Sequence, residues 1–273
     1  MIKVATKGFL KWTVLMVFAI CLVAVINLFV IFSAEPSPGP SVWYKFDETS
    51  GTTAYDSSGN GKNATLTGAT WAAGRIGNAV SLSGSSQYVS MPTGIVSTLN
   101  DFTIATWVRL NALSTWSRIF DIGSSTTVNM FLTPQCGSGV RFAITTGGSG
   151  SEQRITGSSA LATGTWVHVA VTLSGNTGTL YVNGTSVGAN TNMTLRPSSL
   201  GSTSRNYIGR SQYSDPYLNG LIDDFRIYPR ALSVSEIQML ISGTASTPTP
   251  AGVTPTRTPA PAVTPTPAGT VNP

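Results

Sequence analysis

Short runs of β-branched and aromatic residues alternate with clusters of glycine, serine and asparagine between residues 41 and 243. Such runs, bounded by turn-forming residues, predict β-strands. The clearest of them are at 102–110, 130–135, 140–146, 165–173 and 179–188. Many short strands with no helical pattern between them predict an all-β fold, either a sandwich or a barrel.

One strand pair carries a specific turn signal. Asn183-Gly184 separates "LYV" from "TSV". A two-residue type I′ turn needs positive φ at both central residues, which Asn-Gly provides most readily. The sequence therefore predicts a β-hairpin within 179–188.

The only helical pattern lies at 233–243, "SVSEIQMLISG". Ser233 and Glu236 have the spacing of a capping box, and Gly243 provides a C-terminal stop. Ile237, Leu240 and Ile241 would form one apolar face. We expect a short helix with that face packed against the sandwich.

The N-terminal part of the chain has a different composition. Residues 12–32 are almost entirely apolar, and three lysines precede them while no basic residue follows until Lys45. A span of this length is sufficient to cross a bilayer as a helix, and the charge asymmetry keeps residues 1–11 in the cytoplasm. The sequence predicts a transmembrane anchor at 12–33 with the rest of the protein extracellular. The alternative is a cleaved signal peptide and a secreted protein.

Two segments have the composition of linkers. Residues 34–40 include "EPSPGP", and residues 244–273 are dominated by proline, threonine and alanine with a single charge. Such a tail cannot bury apolar surface, so we expect it to be disordered and extended. The predicted folded domain is therefore 41–243. The tail either passes through a cell wall or connects to a catalytic domain missing from this chain.

Charge and cysteine content exclude several protein classes. The pI is about 9.4, yet residues 41–243 hold twelve basic and ten acidic side chains without a basic cluster, so we expect no nucleic-acid partner. Of the two cysteines, Cys21 is in the apolar span and Cys136 is in the predicted domain. A disulfide between them would require one to leave the membrane.

Seven segments in order and spacing carry a family resemblance. They include "WYKFDETSGTTAYDSSGNGKNATL" at 43–66, "GNAVSLSGSSQYVSMP" at 77–92, "WSRIFDIG" at 116–123 and "NGLIDDFRIYPRALSVSEI" at 219–237. Together they resemble the laminin-G-like (LamG), concanavalin-A-type jelly rolls of bacterial extracellular proteins. The stretch "YIGRSQYSDPYLNG" is most similar to the versions appended to secreted glycoside hydrolases.

The resemblance implies a two-sheet antiparallel β-sandwich that is non-catalytic and often holds one structural calcium ion. Together with the predicted anchor at 12–33, it indicates a membrane-tethered carbohydrate-binding or adhesion module with a polysaccharide or glycan as its partner. The alternatives are a structural or protein-binding adhesion domain, or a fragment of a larger secreted glycoside hydrolase.

Enzymatic residues are scarce. Glycosidases need two carboxylates flanking the scissile bond. The four glutamates, at 35, 48, 152 and 236, share no strand, and the chain lacks the Glu-x-Asp-x-x-Glu pattern that supplies this pair in the laminarinase-like relatives of the resembled fold. His168, the only histidine, is expected on one strand face with Trp166 and Ala170 as a structural residue. We therefore expect no enzymatic activity.

Acidic residues suggest a calcium site instead. Asp56 and Asn60 in "DSSGNG" have the first spacings of a calcium loop, although the loop is not an EF-hand. Asp223 alternates with apolar residues of its strand, so we expect it to point inward and to need compensation. A calcium ion shared with Asp47 would provide it. Alternatively, Asp223 caps backbone N–H groups or pairs with Arg210, and Asp56 makes an Asx turn.

A loop rich in tyrosine is the candidate sugar site. Aromatic rings stack on the apolar faces of sugars while polar side chains bond the hydroxyls, and 210–217 supplies both kinds. The alternative is a turn built on Asp215-Pro216 whose tyrosines cover the sheet edge. The candidate ligand-binding residues are Arg210, Gln212, Tyr213, Asp215 and Tyr217.

Overall fold

The computed structural model describes residues 37–243, which form two antiparallel sheets of eight strands each. This confirms the predicted two-sheet β-sandwich. The predicted cytoplasmic segment, the anchor at 12–33, all but the end of the 34–40 linker and the 244–273 tail lie outside the described residues. Between residues 37 and 243, no helix is long and apolar enough to span a bilayer.

The first sheet contains, in spatial order, β14 (Thr185–Asn190), β13 (Thr177–Val182), β12 (Trp166–Ser174), β7 (Phe102–Ala112), β16 (Asn219–Tyr228), β5 (Asn78–Ser83) and β4 (Thr70–Ala73), with β1 (Val42–Tyr44) also paired to β16. The second sheet contains β11 (Gln153–Thr156), β10 (Arg141–Thr145), β9 (Asn129–Thr133), β8 (Phe120–Gly123), β15 (Arg205–Ile208), β6 (Tyr88–Met91), β3 (Ala64–Thr67) and β2 (Thr53–Ala54). Single 3₁₀ turns occur at Ser149–Ser151 and Pro197–Leu200.

The hydrophobic core lies between the two sheets. Ile104 and Val108 of β7 enter it from the first sheet, and Phe120, Ile122 and Leu132 enter it from the second. Because side chains alternate along a strand, the residues between these positions face outward. Each sheet therefore presents an outer face on which a functional site can be built.

The predicted hairpin and helix are both confirmed. Asn183 and Gly184 have φ values of 49° and 76°, as a type I′ turn requires. The helix, α1, spans Val234–Ser242; the Ser233 hydroxyl accepts a hydrogen bond from the Glu236 N–H, and Gly243 ends the helix in the left-handed region. Helix α1 packs Ile237 and Leu240 on the outer face of the first sheet.

The orientation of Asp223 differs from the inward one expected by alternation. A β-bulge interrupts the pairing of β16 with β7 between Asp223 and Arg226, and Asp224 adopts a φ of 50°. The extra residue shifts the alternation by one position. Asp223 is therefore paired with Trp107, on the side of the first sheet away from the core, and its carbonyl accepts from the Thr106 hydroxyl at 2.8 Å.

Candidate functional site

The tyrosine-rich segment forms the β15–β16 loop (209–218), which crosses the outer face of the second sheet. Asp121 and Tyr207 are cross-strand partners, and both alternate with core residues, so their side chains face outward. The Gln212 N–H donates to Asp121 Oδ2 at 3.0 Å, which holds the loop against this face. The loop that contains the candidate ligand-binding residues thus lies on one sheet surface.

A buried arginine organises the base of the loop. Arg118 Nη2 pairs with Asp215 Oδ2 at 2.8 Å, and Arg118 Nε lies 3.4 Å from Asp121 Oδ2. Arg118 is only 2% exposed and its guanidinium carbon lies 4.1 Å from the centre of the Phe131 ring. The Ser211 hydroxyl also donates to Asp215, at 2.9 Å. Asp215 is therefore engaged in holding the loop rather than presented to a ligand.

Asp121 belongs to the same cluster of polar residues beneath the loop. It is 0% exposed and its Oδ1 atom has no hydrogen-bond partner within the described residues. Burial raises its pKa to about 7, although Arg118 and the Gln212 N–H act in the opposite direction. A carboxylate this enclosed cannot reach a glycosidic bond, so its role is structural.

The other four predicted ligand-binding residues have different environments. The Tyr213 hydroxyl donates to the Thr126 carbonyl at 2.7 Å, and the Gln212 amide donates to the Arg205 carbonyl at 2.6 Å. Arg210 stacks on tyrosine rings, and Tyr217 lies 6.4 Å from one of them, Tyr88, between ring centres. Arg210 and Tyr217 therefore keep more of their binding groups available than Asp215 and Tyr213 do.

Several residues of this face were not predicted as site residues. Tyr88 and Tyr207 contact each other edge to face, with their centres 5.3 Å apart. Trp116 has a φ of 66°, rare for a bulky residue and costly enough to mark functional sites in many proteins. Its ring centre lies 5.5 Å from the Arg141 guanidinium carbon. The alternation of side chains along each strand does not by itself show that Tyr88 and Tyr207 share a face. That conclusion also requires the pairing of β6 with β15, which a single sequence does not give.

The predicted metal ligands do not form one cluster. Asp47 and Asp223 line a cleft of about 450 Å³ on the first sheet's outer face, beside Trp43 and the end of helix α1. Asp56 and Asn60 do not line it. Asp56 accepts hydrogen bonds from the backbone N–H groups of Trp43, Ser58 and Lys62 and from the Ser58 hydroxyl. These four donors fill its acceptor capacity, as in the Asx-turn alternative.

Asp223 has one oxygen that fits a cation. Its Oδ2 accepts from the N–H groups of Arg75 and Ile76 at 2.8 and 2.9 Å, while the buried Oδ1 has no partner within the described residues. Burial raises its pKa to about 7. Asp47 accepts from the Asn78 N–H at 3.0 Å. Calcium takes oxygen ligands, many of them from backbone, so these two carboxylates fit the ion and Asp56 does not. Over residues 37–243, no three acidic, histidine or cysteine side chains form a metal-binding group.

His168 is a structural residue of the first sheet. It is 2% exposed, its ring contacts Trp107 edge to face at 5.2 Å, and its backbone N–H donates to Asn183 Oδ1 at 2.9 Å. Burial, followed by the positive charge of Arg226, lowers its pKa to about 4. The imidazole is therefore neutral at physiological pH.

Solved structures share this architecture. Domain 4 of the extracellular GH43 arabinanase AbnA from Geobacillus stearothermophilus, solved with arabinotriose, is 27% identical with a TM-score of 0.65, covering 76% of this chain and 99% of that domain. A Trypanosoma rangeli sialidase is 18% identical with a TM-score of 0.56; the match covers 75% of this chain but only 33% of the sialidase, and it shows the fold alone.

A third structure and a family model complete the comparisons. An S-layer domain-containing protein from Clostridium thermocellum (residues 221–444) is 44% identical over 74% of this chain and 99% of that one, with a TM-score of 0.41. No curated protein matches the chain. The Laminin_G_3 family model, described as the concanavalin A-like lectin/glucanases superfamily, matches residues 83–238, more than half of the chain. The resemblance inferred from the sequence is confirmed, and the chain belongs to this superfamily.

Proposed function

We propose that this protein is a non-catalytic carbohydrate-binding module whose ligand surface is the outer face of the second sheet. The observation that carries the proposal is the similarity to an arabinanase domain solved with arabinotriose, which extends over 99% of that domain's length. Because the match also covers 76% of this chain, the comparison concerns the whole folded unit.

The surface chemistry supports the same conclusion. Tyr88, Tyr207 and Tyr217 are half-buried and form a contiguous aromatic group beside the β15–β16 loop. Sugar rings present apolar C–H faces that pack on aromatic side chains, while arginine and amide groups bond the hydroxyls. Rings fixed by mutual contact lose little conformational entropy when a ligand binds.

The acidic residues of this face support binding without cleavage. A glycosidase requires two carboxyl groups on either side of an open groove, roughly 5–10 Å apart. Asp121 and Asp215 instead share the Arg118 guanidinium, and Asp121 is enclosed by the loop. We expect no new reducing ends when the protein is incubated with polysaccharides.

Isothermal titration of the full-length chain with arabino-oligosaccharides and a panel of plant and microbial polysaccharides tests the proposal. Tyr217→Ala should weaken binding about tenfold, a typical loss for an aromatic anchor. Tyr55→Ala is the matched control, because Tyr55 is 61% exposed and follows β2, at the far end of the second sheet. Unchanged affinity in Tyr217→Ala, together with capture of a protein ligand, would favour the adhesion alternative.

We also propose that the cleft of the first sheet holds a structural calcium ion and that residues 12–33 anchor the domain outside the membrane. The Asp223 oxygen without a hydrogen-bond partner and the presence of Asp47 in the same cleft support the ion, which would link the segment after β1 to β16. The apolar run and the lysines before it support the anchor. Protease digestion of intact cells, which should remove 41–243 and leave the N-terminus protected, tests the anchor.

A further inference from the structure

Arg205 and Arg210, on the second sheet's outer face, form no ion pair within the described residues. The structure contains four ion pairs within residues 37–243, and neither Arg205 nor Arg210 takes part in any of them. Arg205 is exposed at the start of β15, and Arg210 is half-buried at the start of the β15–β16 loop. Both positive charges are therefore available to a ligand.

The two arginines line one small pocket. Its volume is about 260 Å³, and its walls are Arg205, Tyr207, Arg210, Ser211 and Gln212. This is below the roughly 300–1,000 Å³ of pockets for drug-sized ligands, so it suits one sugar residue rather than a chain. None of its lining side chains is acidic.

The Arg210 side chain is held in place before any ligand binds. Its guanidinium carbon lies 4.7 Å from the ring centres of both Tyr88 and Tyr207. Cation–π contacts of this kind fix the planar group without using its N–H donors. Arg210 lines the pocket, so an anion bound there can accept from these donors.

The nearest carboxylates do not neutralise this charge. Asp121 and Asp215 both pair with Arg118, and Asp215 also accepts from Ser211. With one guanidinium between two carboxylates, the cluster keeps about one negative charge when both carboxyl groups are ionised, and that charge is engaged with Arg118 beneath the loop. The pocket itself is lined by two guanidinium groups and by no acidic side chain, so its walls carry positive charge.

We propose that this pocket binds the carboxylate of a hexuronic acid, so that the module recognises an acidic polysaccharide; the inference rests on the proposed carbohydrate-binding function. A guanidinium presents parallel N–H donors whose geometry matches a carboxylate. Tyr207 and Tyr217 supply the aromatic surface for the same sugar ring and its neighbour. A neutral glycan would leave both arginines without a partner.

The test compares two forms of one polymer. Polygalacturonate and highly methyl-esterified pectin share a backbone and differ in free carboxylates. We expect the full-length protein to bind polygalacturonate at least about tenfold more tightly, the size of a lost charge-assisted hydrogen bond, and we expect added salt to weaken that binding. Titration calorimetry at low and high salt measures both.

Matched variants locate the site. Arg205→Gln and Arg210→Gln should each weaken polygalacturonate binding about tenfold, whereas Arg154→Gln, an exposed arginine on β11 of the same sheet, should not. Arg210→Lys, which keeps the charge, should recover part of the loss. If Arg210→Gln alters the melting temperature, the exposed Arg205→Gln variant carries the test.

Each outcome is informative. Equal binding of the two pectins, or tighter binding of a sulfated polysaccharide, overturns the carboxylate assignment. Binding of neutral arabinan that is insensitive to both arginine variants overturns this inference and leaves the proposed function intact. Failure to bind any polysaccharide overturns the proposed function as well.

Discussion

Arg118 and Asp215 form a 2.8 Å ion pair that ties the β15–β16 loop to the outer face of the second sheet. Arg118 lies two residues before β8, while Asp215 lies in the middle of the loop, 97 residues later. The candidate binding surface is therefore held in shape by a contact made beneath it. Substitutions of this pair should therefore change the stability of the loop, whereas substitutions of the tyrosines and arginines above it should change ligand binding.

Removing either partner should have unequal effects. Arg118→Ala leaves Asp121 buried without its counter-charge, and breaking a buried pair in this way costs about 3–5 kcal/mol. Asp215→Asn keeps a hydrogen-bond acceptor for Ser211 at a half-buried position, so we expect a loss of about 1 kcal/mol. Urea denaturation measures both free energies of unfolding. Equal losses would show that Asp121 does not depend on Arg118.

A second prediction concerns the contact between the β13–β14 hairpin and helix α1. A Cβ at Gly184 would lie 2.1 Å from Gln238 Nε2 and 3.1 Å from Ile241 Cδ1, and Gly184 has a φ of 76°. Gly184→Ala should therefore lower the free energy of unfolding by roughly 1–2 kcal/mol through strain and crowding together.

Gly175→Ala is the control for strain alone. Gly175 also has positive φ, 52°, but nothing lies within 4 Å of a Cβ built there. The difference between the two variants measures the crowding against helix α1. Adding Gln238→Ala should reduce the Gly184→Ala loss but not the Gly175→Ala loss. If both glycine variants lose the same stability, the hairpin does not press on the helix.

Local sequence signals predicted the hairpin and the helix, whereas the surroundings of the candidate site residues depend on contacts between distant segments. The Asn183-Gly184 turn and the Ser233–Glu236 capping box depend on neighbouring residues, and both formed as expected. The outward orientation of the buried Asp223 depended on a bulge in which two residues of β16 oppose Thr106. Strict alternation cannot reveal such a bulge, since one extra residue reverses the side of every position before or after it.

The sequence did not reveal every residue of the candidate binding surface, for a related reason. The loop residues were found because they are contiguous, whereas Tyr88 joins Arg210 from a strand 122 residues earlier in sequence. Contacts across strand pairs require the order of strands in the sheet, and a single sequence does not give that order. Asp215 was selected because a carboxylate can accept hydrogen bonds from sugar hydroxyls, but in the structure it accepts from Arg118 instead.

A third prediction uses the single histidine of the chain. The folded-state pKa of His168 is lowered to about 4 from 6.5, so the unfolded state binds more protons between those values. Stability from this group is complete above pH 6.5 and is lost as the pH falls toward 4, by roughly 3 kcal/mol in total. The only charged group that shifts it is Arg226, which acts together with burial.

Two measurements check this prediction. Because the chain holds one histidine, its ring proton resonances should titrate as a single NMR signal with a midpoint near 4. His168→Gln should reduce the difference in unfolding free energy between pH 7 and pH 5 by about 2 kcal/mol. Asp121, whose pKa is raised, changes stability in the opposite direction but does so equally in both proteins. A midpoint near 6.5 would contradict the buried, neutral state.

The last prediction concerns calcium at the first sheet's outer face. If Asp223 Oδ1 and Asp47 bind the ion, calcium should raise the melting temperature, and a chelator should reverse the rise, because a ligand that binds only the folded state stabilises it. Asp223→Asn should abolish the calcium-dependent increment. Asp56→Asn is the control: it should lower the melting temperature in both conditions, because Asp56 accepts four hydrogen bonds, but the increment should remain. Scanning calorimetry with calcium and with chelator distinguishes the two variants, and identical melts of the unmodified protein in both conditions would rule out the ion at this cleft.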